Sequence, residues 1–223
     1  MALQIRKSAR IEDPGAELLD RFSGYWARFG RIALGVAGVT VAAAAVGFLS
    51  VRSRAANEAR AAGELAEASV LYWRGDYVNS LARARQIIQQ FPSTPSGIDA
   101  HRLAGDNAYW NGDMKTAITE YRAYLDRQKN GVLADAVRRS LAYALESDGK
   151  NIEAAAAYEG LVGKLDRESS AEFLAAAARC YRAAGQPAEA VKRLQRLIGE
   201  FGETSFASPA RMELAEISGP PTH

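Results

Sequence analysis

The chain has 223 residues, of which 48% are hydrophobic and 24% charged, and this ordinary globular composition supplies enough apolar side chains for a core. The formal net charge is only +2, and beyond residue 31 the chain carries 22 basic and 22 acidic residues. That balance argues against nucleic-acid binding, which needs a basic surface. The single cysteine, Cys180, excludes an internal disulfide, and in its alanine-rich helix it is expected to be a buried, unreactive thiol.

Residues 1–31 are predicted to be a cytoplasmic tail that ends in an amphipathic juxtamembrane segment. Residues 1–12 have few large apolar side chains and are expected to be disordered. Asp13-Pro14 is a favourable helix start, because aspartate caps the first turn and proline fits its first position. Apolar residues then recur at helical spacing, and this segment either lies at a membrane interface or is a solvated helix. These apolar residues are Leu18, Leu19, Phe22, Tyr25, Trp26 and Phe29.

Residues 32–51 are predicted to form a transmembrane helix. No charged residue occurs from Ile32 to Val51, and about 20 apolar residues in a helix cross the hydrocarbon core of a bilayer. A cleaved signal peptide fits less well, because 31 residues precede this stretch and the candidate cleavage site at residues 53–55 contains an arginine. A buried core helix would need a large domain around it. Small residues at positions 33, 37 and 38 would let two spans pack together, which leaves a homodimer open.

The charges beside this span do not by themselves fix its orientation. Three arginines precede it and three follow it within 15 residues: Arg21, Arg28, Arg31, Arg52, Arg54 and Arg60. The excess of basic residues in the whole N-terminal tail favours a cytoplasmic N-terminus. The domain that follows, residues 52–223, would then lie on the outer side of the membrane.

Residues 52–223 contain a repeat that is marked by glycine. Gly75, Gly112, Gly149 and Gly185 recur at steps of 37, 37 and 36 residues, each between two helical patterns. Small or bulky residues also recur five, nine and twelve positions after each glycine, and a period of this length is typical of stacked helix pairs. These packing positions are Ser80, Ala84, Ile87, Ala117, Tyr121, Tyr124, Ala154, Tyr158, Leu161, Ala190, Leu194 and Leu197.

This pattern resembles the tetratricopeptide repeat (TPR), which has small residues where its paired helices touch and a glycine at their turn. The resemblance covers about residues 61–201. It implies an all-α fold, a TPR-like right-handed helical solenoid of about four helix pairs with a C-terminal capping helix, preceded by one transmembrane helix. The usual TPR period is about 34 residues, so the extra residues are expected in the loops between repeats.

Capping residues and prolines mark the helix boundaries between repeats. Phe91-Pro92 is predicted to end the first repeat and Thr94-Pro95 to open the second. A capping box at residues 169–172, Ser-Ser-Ala-Glu, is predicted to start the last repeat. Ser208-Pro209 is predicted to start a final helix over residues 210–217, which would cover the apolar end of the array.

No catalytic or metal site is predicted, and the chain is not predicted to be an enzyme. Its two histidines, His101 and His223, lack the neighbours of a metal site or a catalytic triad. The repeat glycines stand singly, so no phosphate-binding loop is expected. No cofactor is therefore predicted, and His101 is expected to be structural or solvated.

The first helix of each TPR pair lines a concave groove that holds a peptide or a partner helix. Tyrosine offers broad contact area there, and arginine pairs with carboxylates. By register, the candidate groove residues are Ser69, Tyr72, Arg102, Asp106, Tyr109, Arg139, Tyr143, Glu146, Arg179 and Arg182. The lysine-and-asparagine clamp of chaperone-binding TPRs is absent, because its positions hold Leu65, Ser69, Leu103, Ala136 and Ser140.

The order of segments resembles the bacterial ancillary subunit of the Sec translocon, with a short tail, an aromatic-to-arginine sequence at Tyr25–Arg31, one Gly/Ala-rich span and a TPR domain. That resemblance implies a single-pass protein of the bacterial inner membrane, with a cytoplasmic N-terminus and a periplasmic TPR domain. Its implied partners are translocon subunits, periplasmic chaperones or client chains. Two alternatives stay open: a scaffold for an outer-membrane or division complex, and a regulatory subunit of a membrane enzyme with its repeats in the cytosol.

Overall fold

The structure is a computed structural model that describes residues 14–219. Within this range the chain forms nine α-helices and no strand, which confirms the predicted all-α class. The helices are α1 (Pro14–Trp73), α2 (Tyr77–Gln90), α3 (Pro95–Trp110), α4 (Met114–Arg127), α5 (Val132–Ser147), α6 (Asn151–Glu159), α7 (Arg167–Ala183), α8 (Pro187–Glu200) and α9 (Ala207–Ser218). The predicted disordered tail at residues 1–12 and the capping residue Asp13 lie outside the described residues.

The chain divides into two compact units, one ending at Ala55 and one beginning at Ala56. In the first unit, the charge-free stretch from Ile32 to Val51 is helical and exposed throughout, and Phe48, for example, is 65% exposed. Among the described residues, one helical stretch is long and apolar enough to cross a membrane, and none of its most apolar window is buried. That exposure argues against a buried core helix for this stretch.

The aromatic residues before this stretch form two ring pairs along α1. The rings of Phe22 and Trp26 stack with centroids 6.2 Å apart, and those of Tyr25 and Phe29 lie 5.6 Å apart. All four side chains remain 45% exposed or more. The pairing organises an apolar, aromatic surface, and it fits both predicted interpretations of this segment.

The second unit is built from helix pairs that follow one another along the chain. Residues 56–73 of α1 share a buried cluster with α2. After them α3 pairs with α4, α5 with α6 and α7 with α8, while α9 packs on α8. The turns inside the pairs all have three residues, at 74–76, 111–113, 148–150 and 184–186. The connections between pairs vary in length, from four residues at 91–94 and 128–131 to seven at 160–166.

The repeated glycine has the same backbone conformation at all four turns. The φ angles of Gly75, Gly112, Gly149 and Gly185 lie between 73° and 81°, in the left-handed region that glycine enters without a steric penalty. At each turn the glycine N–H and the next N–H donate back to carbonyls of the helix, as Gly75 does to Tyr72 and Asp76 to Leu71. This is the Schellman motif, which satisfies the last carbonyls of a helix.

All twelve predicted packing positions are buried, with exposed fractions of 2% or less. α3 and α4 approach each other closely, since a Cβ atom placed on Gly105 would sit 2.6 Å from the ring of Tyr121. A buried polar chain also joins the first two repeats. The side-chain nitrogen of Asn107 donates to Ser80 Oγ over 2.8 Å, and that hydroxyl donates to the carbonyl of Ala68 over 2.8 Å.

The predicted start of α3 was correct, whereas the predicted starts of α7 and α9 were wrong. Thr94 caps α3, accepting from the N–H of Gly97 over 3.0 Å, as predicted. The capping box at residues 169–172 is wrong, because Asp166 already caps α7 by accepting from the N–H of Ser169 over 2.8 Å. The final helix starts at Ala207 rather than residue 210, continuing from a preceding turn without a side-chain cap.

A candidate protein-binding face on the first helices of the repeats

The ten predicted groove residues lie on α1, α3, α5 and α7, the first helices of the four pairs. We call this surface the groove face. Side chains on it connect neighbouring repeats. The indole N–H of Trp110 on α3 donates to the hydroxyl of Tyr72 on α1 over 3.0 Å. The hydroxyl of Tyr143 on α5 donates to Glu172 Oε1 on α7 over 3.0 Å. The first helices of successive repeats therefore form one continuous face.

A cleft of about 210 Å³ opens on this face across the first three repeats. We call it the aromatic cleft, and its lining consists of Tyr72, Asp106, Tyr109, Trp110, Tyr121, Ser140 and Tyr143. Four of these residues were predicted for the groove, so the structure brings Tyr72, Asp106, Tyr109 and Tyr143 together. The other three come from the end of α3, from α4 and from α5.

Stacked rings support the wall of the aromatic cleft. Trp110 stacks on Tyr77 with centroids 6.3 Å apart, and Tyr77 in turn lies 5.7 Å from Tyr72. Trp110 itself is 59% exposed. Its equivalent one repeat earlier, Trp73, is 82% exposed and does not line the cleft. Two tryptophans at the same repeat position therefore have different surroundings.

Asp106 supplies the carboxylate of the cleft. Its Oδ1 accepts from the Tyr121 hydroxyl over 2.9 Å, and its Oδ2 accepts from Arg102 Nη1 over 3.0 Å. Burial raises the pKa of Asp106 above its ordinary value, although Tyr121 and Arg102 act in the opposite direction. The loss of water around this carboxylate therefore outweighs its two partners.

The tyrosines of the cleft are held in their neutral form. Burial, followed by the negative charge of Asp106, raises the pKa values of both Tyr72 and Tyr121. Burial also raises the pKa of Tyr143, together with its hydrogen bond to Glu172. Their hydroxyl groups therefore remain hydrogen-bond donors at physiological pH.

The groove face is different beyond the cleft, where charged side chains pair with each other. Arg179 donates to Glu146 with Nε and Nη2, over 2.7 and 3.1 Å, and the Tyr158 hydroxyl adds a bond of 2.7 Å. Burial alone would raise the pKa of Glu146, but these bonds together lower it below its ordinary value. Arg182 pairs with Glu213 of α9 over 3.3 Å. We call this group, Glu146, Arg179, Arg182 and Glu213, the ion-paired stretch.

These pairs change the role of the predicted groove arginines. Arg102, Arg179 and Arg182 each have a carboxylate partner within the protein, and only Arg139 of the four makes no hydrogen bond or ion pair with the described residues. Ser69 is also occupied, since its hydroxyl donates to the carbonyl of Leu65 over 2.8 Å. At Arg102, Arg179 and Arg182, carboxylates of a partner would therefore have to compete with existing internal bonds.

Sequence reasoning missed Trp110, Tyr121 and Ser140 as cleft residues. Trp110 carried a usable signal, because Tyr-Trp-x-Gly-Asp occurs at residues 72–76 and again at 109–113. Tyr121 was assigned to the core, and its ring is indeed buried while its hydroxyl reaches Asp106. Ser140 carried one signal, because it stands at a position that belongs to the clamp of chaperone-binding TPRs.

The other residues that could carry chemistry, His101 and Cys180, are buried within the helical array. His101 is 8% exposed, with Nδ1 2.7 Å from Glu120 Oε2 and Nε2 2.5 Å from Arg127 Nη1. Cys180 is 1% exposed, and burial raises the pKa of its thiol to about 12. Among the described residues no group of three His, Cys, Asp or Glu side chains is placed to hold a metal ion.

Comparisons with known proteins agree with this architecture. A model of the tetratricopeptide repeat matches residues 176–204, which include α8. A Podosopora anserina protein assigned as a kinesin light chain, with nearly identical TPR-like repeats, has a TM-score of 0.56 at 20% identity, over 72% of this chain and 86% of that one. A tetratricopeptide repeat protein from Parabacteroides merdae has a TM-score of 0.58 at 14% identity, over 70% of this chain and 59% of that one. No curated protein matches the sequence significantly.

At these identities the structural matches establish the fold and nothing about partners. The fold, the glycine turns and the matched repeat agree with one another. Arrays of this kind use extended concave surfaces to bind other proteins, and they are typically scaffolds rather than catalysts. The chain therefore has a tetratricopeptide-repeat fold, of a kind that typically mediates protein–protein interaction.

Proposed function

We propose that this chain is a membrane-anchored adaptor of the bacterial cell envelope, which holds a protein partner on its groove face. The observation that carries the proposal is the open aromatic cleft on a continuous face of first helices. The cleft presents an exposed tryptophan, Trp110, and partly exposed tyrosines. Such rings offer large contact areas that lose little conformational entropy on binding, and such residues dominate binding energy at protein interfaces.

The proposed anchor is the helical stretch of residues 32–51. It is long enough to span a bilayer, free of charge, and exposed along its length. Exposed apolar surface of this extent is costly in water, which favours lipid as its surroundings. The exposed rings of Tyr25, Trp26 and Phe29 would then lie at the membrane interface, where aromatic residues are favoured.

The proposed location is the inner membrane, with the N-terminus in the cytoplasm and the repeats in the periplasm. Two arguments support it: the basic character of the N-terminal tail, and the resemblance of the segment order to the ancillary subunit of the Sec translocon. Under this proposal the partners are translocon subunits, periplasmic chaperones or client chains. Fold-level likeness alone does not select among them.

Co-purification tests the partner assignment. The full-length protein is extracted in mild detergent, and its associated proteins are identified by mass spectrometry. Translocon subunits in the eluate, reduced by a Tyr109→Glu substitution in the cleft, would support the proposal. Gln195→Glu is the matched control, because Gln195 is exposed on α8, away from the groove face. If an outer-membrane or division complex dominates the eluate instead, the translocon assignment is wrong.

A topology reporter tests the location independently. Alkaline phosphatase, which is active only outside the cytoplasm, and a fluorescent protein that folds in the cytoplasm are each fused after His223. The proposal predicts phosphatase activity and no fluorescence, with the product retained in membranes after carbonate extraction. Fluorescence alone would place the repeats in the cytosol and favour the regulatory-subunit alternative.

A further inference from the structure

We propose that the aromatic cleft receives a lysine side chain of the protein partner, with the ammonium group directed at Asp106. This inference rests on the proposed function, since it names the chemistry that the groove face recognises. The site is already formed in the protein and needs no rearrangement to present its rings and its carboxylate to a partner.

The charge of the cleft favours a cation. Asp106 is the only residue with a formal charge among the seven that line it. The other lining residues include five aromatic rings, whose faces are electronegative and attract cations. Outside the lining, Arg102 is shared between Asp106 at 3.0 Å and Asp99 at 3.9 Å. Two carboxylates therefore face one guanidinium, and this group of three keeps a net negative charge. Beside Tyr143, the charges of Arg139 and Glu172 act in opposite directions.

The bonds that Asp106 already makes favour lysine over arginine. Each of its oxygens accepts one hydrogen bond, from Tyr121 to Oδ1 and from Arg102 to Oδ2. An incoming arginine binds a carboxylate best with two parallel bonds to both oxygens, and that arrangement is occupied. A lysine ammonium is a point charge with three donors, so one remaining lone pair of Asp106 is enough. Its four-carbon stem would lie along the rings, which matches the aromatic lining of the cleft.

The pair of tryptophans provides a control within the same protein. Trp110 lines the cleft, whereas Trp73 occupies the same position of the preceding repeat and does not line it, although its ring packs edge-on against Tyr72 with centroids 5.2 Å apart. Both are largely exposed, so replacing either with leucine removes an aromatic surface without opening the core. Only the Trp110→Leu substitution is expected to weaken the cation site.

The test measures binding of single-residue probes to the full-length protein in lipid nanodiscs by ligand-detected NMR. The probes are Nα-acetyl-lysine-N-methylamide, its arginine equivalent and its norleucine equivalent, which keeps the stem and removes the charge. We expect saturable lysine binding with a Kd of about 1 mM, typical of so small a ligand. Norleucine should bind about tenfold more weakly, since a desolvated cation–π contact is worth about 1–2 kcal/mol.

The variants define what would overturn the inference. Trp110→Leu and Asp106→Asn should each weaken lysine binding about fivefold or more, while Trp73→Leu should leave it unchanged. Equal binding of lysine and norleucine would show that the cleft takes apolar groups. Tighter binding of arginine than of lysine would make the ligand a guanidinium. An equal loss with Trp73→Leu and Trp110→Leu would place binding outside the cleft.

The outcome also separates this inference from the proposed function. If co-purified partners are lost in Tyr109→Glu but lysine has no preference over norleucine, the groove face binds proteins by other chemistry and only the lysine assignment fails. If lysine binds selectively but no partner co-purifies, the adaptor proposal fails while the site remains. Because Asp106→Asn also alters bonds to Tyr121 and Arg102, the exposed Trp110→Leu variant keeps the test valid should Asp106→Asn misfold.

Discussion

The aromatic cleft and the ion-paired stretch occupy the same face of the same repeat array, yet they handle polar groups in opposite ways. In the cleft, a half-buried carboxylate keeps a raised pKa because burial outweighs its two partners. In the ion-paired stretch, Glu146 has a lowered pKa because Arg179 and Tyr158 outweigh burial. One end of the face therefore keeps unused capacity for bonding, and the other end uses its charges internally.

This contrast shows that the repeat backbone does not by itself determine where a partner binds. The four glycine turns are alike in φ and in hydrogen bonds, so the scaffold offers equivalent positions along the array. The side chains at those positions decide whether a position is open to a partner or closed by an internal ion pair. We expect partner contacts to concentrate at the cleft.

The largest effect is expected from a substitution that disturbs the packing of α3 against α4, which forms part of the cleft. Gly105→Ala would place a methyl group 2.6 Å from the ring of Tyr121, and overpacking of this kind costs about 1–3 kcal/mol of unfolding free energy. Gly63→Ala is the matched control on the first helix of the preceding repeat, where a Cβ atom has no neighbour within 4 Å. It should stabilise by up to about 1 kcal/mol, since alanine favours helix.

Urea unfolding of full-length protein, followed by circular dichroism, measures both changes. We expect a lower urea midpoint for Gly105→Ala than for wild type, and an unchanged or higher urea midpoint for Gly63→Ala. A stabilised Gly105→Ala variant would mean that α3 and α4 are not in the close contact that positions the Tyr121 hydroxyl at Asp106.

A smaller effect is expected at two of the glycine turns, one in the second repeat and one in the fourth. Asp113 follows the glycine of the second repeat and caps α4, accepting from the N–H of Thr116 over 3.1 Å. Gln186 holds the equivalent position in the fourth repeat and makes no side-chain cap. Asp113→Ala should cost about 1 kcal/mol, whereas Gln186→Ala should change stability by less than about 0.5 kcal/mol.

Thermal melts of the two variants in the same buffer check this difference. Equal losses would indicate that the cap of α4 contributes nothing beyond the glycine turn itself.

Much of the fold could be predicted from the sequence because every repeat carries the same pattern of packing residues. A glycine that must adopt positive φ specifies a turn. The residues at fixed offsets after it, such as Ala117 and Tyr121, specify a buried face, so local sequence alone predicts both. The wrong helix start at residues 169–172 shows the limit of such signals. Asp166 and Ser169 are both good caps, and only the observed bonds show that Asp166 takes the position.

The candidate site was harder to predict because it depends on contacts between repeats. The partner of Arg179 is Glu146, 33 positions earlier, and the partner of Arg182 lies on the capping helix. These pairs follow from how far successive helices rotate along the array, which composition and register do not give. The hydrogen bond from Trp110 to Tyr72, which are 38 positions apart in the sequence, likewise depends on how successive helices are placed. The face could be predicted from helical period, and its division into an open and a closed part could not.

The smallest expected effect is the pH dependence of the two carboxylates. The pKa of Glu146 is lowered by folding, so its stabilisation is present at neutral pH and is lost as the pH falls through that lowered pKa. The pKa of Asp106 is raised, so its ionisation destabilises the fold and wild type gains stability as the pH falls toward the ordinary range of aspartate. Each contribution should be about 1 kcal/mol or less, because both groups are partly exposed.

Urea midpoints measured from pH 3 to pH 7, for wild type, Glu146→Gln and Asp106→Asn, resolve the two signs. Glu146→Gln should lie below wild type at pH 7 and approach it in acid. Asp106→Asn should approach wild type, or exceed it, as the pH rises. Parallel curves for all three proteins would remove the electrostatic difference between the cleft and the ion-paired stretch.

Site-specific photo-crosslinking in cells that produce the full-length protein tests directly whether the aromatic cleft is the part of the array that binds a partner. A photoreactive amino acid replaces Tyr109 in the cleft, Arg182 in the ion-paired stretch, or Gln195 on α8 outside the groove face. We expect a discrete crosslinked partner from position 109, much less crosslinking from position 182 and none from position 195. A partner captured equally at all three positions, or only at 195, would contradict the claim that the cleft is the binding part of the array.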